Sequence, residues 1–149
     1  MKIAIGSDHT GVDLKALIIK TFDDVDFMDF GPEAKESVDY PDYIEKVAKA
    51  VQKGECERGI AICGTGIGAS ITANKVRGIR ASLCFNGFMA EMTRKHNDSN
   101  VLVLGARVTG EEVALYIVEK WLNTGYEGGR HQRRLDKVSA IENREIGGD

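Results

Sequence analysis

Along the chain, short strand-like segments alternate with segments whose apolar residues recur at helical spacing. Short apolar runs predict strands at Lys2–Gly6, Gly59–Cys63, Ile79–Phe85 and Asn100–Leu104. Apolar residues that alternate with acidic ones predict a fifth, an edge strand, at Val25–Phe30. Apolar residues at helical spacing predict helices at about 12–22, 41–53, 67–74, 88–95 and 111–122, then a last helix after residue 130 and a frayed tail at 147–149. This alternation predicts a single α/β domain over residues 1–149, an open parallel sheet with helices on both faces. A common order for five such strands is 2-1-3-4-5.

The predicted strand Gly59–Cys63 leads directly into the loop Gly64-Thr65-Gly66-Ile67-Gly68, which opens a helix. The strand is apolar throughout, which is typical of burial on both faces. Free backbone N–H groups at such a turn point at whatever lies above the strand, so the loop is a candidate anion site. The predicted order puts the switch point between strands 1 and 3, which brings Asp8 and His9 beside Cys63.

Cys63 has two interpretations. A cysteine that ends a buried strand is most often a small core residue. Here it stands at the start of a helix, where the dipole and the free N–H groups favour a thiolate, so it is also a candidate base or nucleophile. Cys56 and Cys84 have no such setting and are interpreted as structural.

The glycine loop formally fits the dinucleotide fingerprint G-x-G-x-x-A through Ala69. The acid that the fingerprint needs at the end of the next strand is missing, because that strand ends in Cys84-Phe85-Asn86. There is also no Gly-Lys-Ser/Thr ending that would make a P-loop. We therefore expect a small anion or an oxyanion here rather than a dinucleotide.

The remaining candidates also have plainer alternatives. Asp8-His9 fits an ordinary turn capped by the aspartate. His96 could simply end its helix, because the helix dipole favours a protonated histidine at the C-terminus. His96 belongs to a helix-to-strand connection at the opposite sheet edge from Cys63, so a role beside Cys63 requires a partner subunit. Arg130-His131-Gln132-Arg133-Arg134 follows two glycines and is either a solvated helix face or a phosphate clamp, with Arg130 and Arg134 on one face.

Composition narrows the class of protein. With 149 residues, 42% apolar and 29% charged, the chain suits one soluble domain with a substantial core. A net charge of −3 argues against a nucleic-acid partner. No run approaches the ~18 apolar residues of a membrane span, and polar residues follow Met1 too soon for a signal peptide. Three cysteines without C-x-x-C spacing suggest neither a disulfide framework nor a zinc site, so we expect no metal and a reducing cytoplasm.

Six motifs taken together resemble the ribose-5-phosphate isomerase type B family, which also contains the galactose-6-phosphate isomerase subunits. They occur in order and with compatible spacing over nearly the whole chain. The motifs are Ser7-Asp8-His9, Asp39-Tyr40-Pro41, the stretch 62–68, Ala73-Asn74-Lys75, His96-Asn97-Asp98 and Glu127-Gly128-Gly129-Arg130-His131.

The resemblance implies a Rossmann-like three-layer α/β/α fold and an aldose–ketose isomerase that needs no metal or organic cofactor. It also implies a homodimer, or a tetramer of such dimers, whose active sites are shared between subunits. The C-terminal segment 125–149 is expected to pack on the partner. The expected reaction converts ribose 5-phosphate to ribulose 5-phosphate; allose or galactose 6-phosphate, or non-catalytic binding of a sugar phosphate, remain alternatives.

The same resemblance implies roles for individual residues. Cys63 would be the base that moves a proton between the first two sugar carbons through a cis-enediolate, and His96 would assist ring opening. One branch of the family uses a glutamate as base, at the position of Ala69 here. The other expected site residues are Thr65, Gly64, Gly66 and Gly68 for the enediolate, Asp8 and Asn97 for sugar hydroxyls, Tyr40 as a further substrate contact, and Arg130, Arg134, His9 and Arg107 for the phosphate.

Overall fold

The computed structural model describes residues 1–146, and the predicted frayed tail at 147–149 lies outside the described residues. Five strands form: β1 Lys2–Ser7, β2 Asp26–Asp29, β3 Arg58–Cys63, β4 Ala81–Leu83 and β5 Val101–Gly105. A single 3-10 turn, His9–Gly11, precedes the helices α1 Val12–Thr21, α2 Tyr40–Gln52, α3 Ile67–Ala73, α4 Gly87–Asn97, α5 Glu111–Asn123 and α6 Arg130–Glu145. The predicted α/β fold with a five-stranded parallel sheet is confirmed.

The order of the strands differs from the expected 2-1-3-4-5 at one end of the sheet. The observed order is β2-β1-β3-β5-β4, so β5 lies inside the sheet and β4 at its edge. Every residue of β5 is buried, whereas all three residues of β4 are half-buried and one is Ser82. A strand that is apolar on both faces is stable in the sheet interior, and a short strand with a polar residue suits an edge.

The crossovers divide the helices between the two faces of the sheet. Helices α1, α4 and α5 cover one face, where Ile5, Leu104 and Trp121 belong to the larger core cluster. Helices α2 and α3 cover the other face, packing small residues such as Ala69 against Ala61. This division follows from right-handed connections. The steps from β1 to β2 and from β4 to β5 cross the sheet in one direction, whereas those from β2 to β3 and from β3 to β4 cross it in the other, so their helices lie on opposite faces. The result is a rigid sheet whose strand ends hold the loops of the site.

The last helix, α6, returns to the body of its own chain. His131 and Leu135 are buried, and the Glu142 carboxylate accepts a hydrogen bond from the Gly78 N–H at 3.1 Å. Val138 and Ile141 remain about half exposed, each at 52%. Packing of segment 125–149 on a partner therefore stays a prediction. Within residues 1–146, no helix has both the length and the apolar character needed to cross a bilayer.

Candidate active site

The switch point of the sheet brings two polar loops together. β1 and β3 are neighbours, and the Asp8 N–H donates to the Ile62 carbonyl at 3.1 Å. Asp8 thus lies beside the end of β3, as the sequence predicts. Its carboxylate accepts from both the N–H and the hydroxyl of Thr10, which caps the short 3-10 turn. With only 7% of its surface exposed, this carboxylate is held in a fixed direction.

His9 and Tyr40 close one side of this crevice. The Nδ1 atom of His9 accepts from the Val38 N–H at 3.2 Å, so the proton of the neutral ring is on Nε2, which is left as a donor. The ring of Tyr40, the first residue of α2, lies against the glycine loop. A Cβ atom at Gly68 would be 2.6 Å from Tyr40 Cζ, so only glycine allows this contact.

Cys63 is the last residue of β3 and is 5% exposed. The carbonyls of Cys63 and Gly64 accept from the Ala106 and Arg107 N–H groups, both at 2.9 Å. These two bonds tie the cysteine to the loop after β5. They also bring the exposed Arg107 beside the glycine loop, with its Cδ 3.6 Å from where a Cβ of Gly64 would stand.

The glycine loop presents backbone donors next to Cys63. Gly66 caps α3 with a φ of +84°, a left-handed conformation that favours glycine. The Thr65 hydroxyl oxygen accepts from the Ile67 N–H at 3.2 Å. The next amides, of Gly68 and Ala69, belong to the first helical turn and have no acceptor within the helix. The arrangement can therefore stabilise negative charge on a small oxygen.

We expect Gly105→Ala to damage this loop, because a Cβ atom there would lie 2.4 Å from the Thr65 carbonyl oxygen. Overpacking against backbone should lower the free energy of unfolding by about 1–3 kcal/mol and displace Thr65, with loss of turnover. Urea unfolding and a turnover assay measure the two effects. Gly110→Ala is the matched control, since a Cβ there meets nothing within 4 Å and its φ is −62°. Wild-type behaviour of Gly105→Ala would contradict the expected clash.

His96 lies at the other end of the sheet. It occupies the last turn of α4, and the neighbouring Asn97 carbonyl accepts from Arg80 Nε at 2.8 Å, just before β4 begins. At this same end, the Gly59 N–H donates to the Asn100 carbonyl. The path along β3 from Gly59 to Cys63 is about 13 Å. Within one chain, His96 is therefore separated from Cys63, as the topology argument predicts.

His96 has neighbours that hold its ring. The imidazole of His131 stacks on it, with ring centroids 4.2 Å apart and planes 17° from parallel. A Glu127 carboxylate oxygen is 3.8 Å from His96 Nε2. Arg130 and Arg134 are exposed on the first turns of α6 beside His131.

Burial lowers the pKa of His131 from its ordinary value, and the charges of His96 and Arg130 lower it further. The carboxylate of Glu127 acts in the opposite direction, and Arg134 lowers the pKa slightly more. The His131 ring is therefore neutral at neutral pH. A neutral ring can stack closely on His96 even when His96 carries a proton.

A pH dependence of stability follows. Below about pH 6.5 the unfolded chain protonates this ring, while the folded chain resists protonation, so the free energy of unfolding should fall as the pH falls. Above that pH the ring is neutral in both states, so it does not make the free energy of unfolding depend on pH. His131→Phe should weaken the decline between pH 7.5 and 5.5, as measured by urea unfolding. Equal slopes in the variant and the wild type would contradict the lowered pKa.

His96, Glu127 and His131 also form a group within residues 1–146 whose ligand atoms all lie within 4.8 Å of one another. A metal ion would need the in-plane lone pairs of both rings to converge on one point. Because the rings are stacked, their lone pairs lie in two nearly parallel planes. One ring would have to rotate before both could bind the same ion, so this geometry favours stacking over metal binding.

The predicted site residues thus divide into two groups. The first group, which we call the cysteine half-site, comprises Asp8, His9, Tyr40, Cys63, Gly64, Thr65, Gly66, Gly68 and Arg107. The second group, the histidine half-site, comprises His96, Asn97, Arg130 and Arg134. The sequence assigned no role to Glu127 or His131, which join the second group by contact with His96. The only sequence signal for them is their place in the motif Glu127-Gly128-Gly129-Arg130-His131.

Comparison with known proteins shows similarity over nearly the full chain. Residues 3–138 match the profile of the family described as Ribose/Galactose Isomerase. The chain is 50% identical over 145 residues to ribose-5-phosphate isomerase B of Escherichia coli, covering 96% of this chain and 97% of that protein.

Solved structures agree with this similarity. A ribose-5-phosphate isomerase B structure from Clostridium thermocellum has a TM-score of 0.95 at 54% identity, covering 97% of this chain and 99% of that one. A Mycoplasma genitalium structure with bound ribulose-5-phosphate has a TM-score of 0.91 at 40% identity, covering 95% and 96%. Sequence, profile and fold agree over nearly the whole length. The chain therefore belongs to the ribose/galactose isomerase family.

Proposed function

We propose that this protein interconverts ribose 5-phosphate and ribulose 5-phosphate. The observation that carries the proposal is the position of Cys63, at the switch point of the sheet and next to a turn of backbone donors. The similarity to proteins named as isomerases of this pentose phosphate supports the choice of sugar. No metal or organic cofactor enters the steps proposed below.

Moving a carbonyl by one carbon requires a base and donors for an oxyanion. The Cys63 thiolate removes the proton from C2 of the open-chain aldose, and the electron pair forms the C1–C2 double bond of an enediolate. Negative charge then develops on O1, where the amides of Gly68 and Ala69 and the hydroxyl of Thr65 stabilise it. Cys63 returns the proton to C1, while a proton moves from O2 to O1, which completes the ketose.

The other two cysteines are unsuited to this step. Burial raises the pKa of Cys84 to about 12, and burial also raises the pKa of Cys56. Both thiols stay protonated at neutral pH and pack in the core. All three cysteines are free, which supports a reducing compartment, the cytoplasm, as the site of action.

The phosphate would be held by basic groups from both half-sites. Arg107 and His9 come from the cysteine half-site, and Arg130 and Arg134 from the histidine half-site. Guanidinium forks suit phosphate oxygens, and binding at this remote group orients the reacting carbons. Asp8 and Asn97 remain for the sugar hydroxyls.

A second copy of the chain completes the site in this proposal. The two half-sites lie at opposite ends of the sheet, so one chain cannot bring them together without unfolding its core. A symmetric dimer uses the same surface twice and joins each cysteine half-site to the partner's histidine half-site. Ile67 and Ile71 support this arrangement, because they expose 55% and 59% of their surface on α3, directly beside the glycine loop.

The test is an assay of the purified protein in D₂O with ribose 5-phosphate, allose 6-phosphate and galactose 6-phosphate. We expect conversion of ribose 5-phosphate, with solvent deuterium appearing at C1 of the product. Faster conversion of either hexose phosphate would reassign the substrate. Binding of ribose 5-phosphate, seen as a thermal shift, without conversion or deuterium uptake would instead identify a non-catalytic binder.

A further inference from the structure

We propose that Glu127 and His131 are positioning residues for His96, which fix its imidazole for the ring-opening step. This inference rests on the proposed function and deepens it. Neither residue is assigned contact with the sugar. Both act through the orientation and the charge of His96.

His96 needs support because of where it lies. It stands on the last turn of α4 and exposes 38% of its side chain. Its imidazole can therefore be restricted only by the neighbours on its buried side. The stacked ring of His131 fixes the plane of the imidazole, and the carboxylate of Glu127 fixes the rotation within that plane. The 3.8 Å distance to Nε2 is longer than a hydrogen bond, so the carboxylate acts on the ring through its charge.

The stability of the fold does not by itself explain a histidine at position 131. It is 5% exposed, and its buried Nε2 atom has no hydrogen-bond partner among residues 1–146. Burying an unpaired polar atom is unfavourable, and an apolar ring of similar size would fill the space without this cost. The residue therefore calls for an explanation beyond packing, and its only ring contact in the described chain is His96.

Glu127 is held in place by the backbone of the helix that carries His96. Its N–H donates to the carbonyl of Lys95 at 3.1 Å, one residue before the histidine. The ammonium group of Lys95 donates its hydrogen bond to Glu91 at 2.5 Å and interacts with Glu127 only through charge. The Glu127 backbone is thus anchored beside His96, and its half-exposed carboxylate lies 3.8 Å from His96 Nε2.

The chemistry of ring opening explains why such support matters. His96 takes the proton from the O1 hydroxyl of the ribose hemiacetal, the C1–O4 bond breaks, and the proton passes to O4. The ring of His96 is cationic between these events, and the Glu127 carboxylate stabilises that charge. Ribulose 5-phosphate has its O5 esterified and cannot close a five-membered ring, so its enolisation bypasses this step.

This difference between the two sugars gives the test. The variants are Glu127→Gln and His131→Phe, with Glu112→Gln, an exposed residue of α5, as the matched control. One rate is kcat for conversion of ribose 5-phosphate. The other is exchange of the C1 proton of ribulose 5-phosphate with D₂O, which needs Cys63 but no ring opening.

We expect kcat to fall about 10- to 100-fold in both variants, while the exchange rate stays within about twofold of the wild type. Equal losses in both rates would indicate a merely structural role and overturn the proposal, as would unchanged kcat. Wild-type protein that neither converts ribose 5-phosphate nor exchanges ribulose 5-phosphate would overturn the proposed function itself, which is a distinguishable outcome.

Discussion

Cys63→Ala is expected to lower turnover of ribose 5-phosphate by about 10²- to 10⁴-fold, the usual contribution of a general base. Exchange of the C1 proton of ribulose 5-phosphate with solvent should fall by a similar factor. Both reactions need the same base, which removes a proton from C2 of the aldose or from C1 of the ketose. The glycine loop offers no second base, because residues 64–70 contain no carboxylate and no imidazole. Turnover assays and deuterium exchange followed by NMR measure the two losses.

Cys84→Ala is the control for this substitution. Its sulfur is also buried and removal changes the volume equally, but Cys84 packs in the core on the opposite face of the sheet from α3. We expect this variant to unfold more easily and to keep near wild-type turnover when folded. Full exchange activity in Cys63→Ala would eliminate Cys63 as the base while leaving the fold unaffected.

His96→Asn is expected to reduce conversion of ribose 5-phosphate by about 10²-fold or more, because a proton carrier is lost from ring opening. Asparagine preserves size and polarity at the end of α4, so the fold should be unaffected. Exchange of ribulose 5-phosphate serves as the internal control. It should stay near the wild-type rate, in contrast to Cys63→Ala, and an equal loss of exchange would show that His96 acts on enolisation instead.

Much of the fold could be predicted because burial is encoded in local pattern. The four apolar runs and the alternating segment 25–30 became the five strands, and the switch point between β1 and β3 followed from a general rule of such sheets. The exchange of β4 and β5 was missed because the predicted order took sequential strands as neighbours. The signal was present in composition: β5 reads Val-Leu-Val-Leu-Gly, whereas β4 reads Ala-Ser-Leu.

The candidate site was predictable to the extent that topology determines it. Asp8 lies beside Cys63 at the carboxyl ends of the strands, and His96 lies at their amino ends. Strand direction decides which of these loops can meet. Contacts such as the ring of Tyr40 on Gly68, or of His131 on His96, depend on the paths of loops between distant elements. No periodicity or spacing in the sequence encodes those paths.

The sharing of each site between two chains can be tested by mixing two inactive variants. In a random 1:1 dimer population of Cys63→Ala and His96→Asn, half of the dimers hold one chain of each kind. Each mixed dimer has one doubly defective site and one intact site, so about a quarter of wild-type activity should return. Conversion of ribose 5-phosphate after joint refolding is the measurement. Recovery to about a quarter supports a site built from two chains, and activity no higher than that of the two separate variants would contradict it.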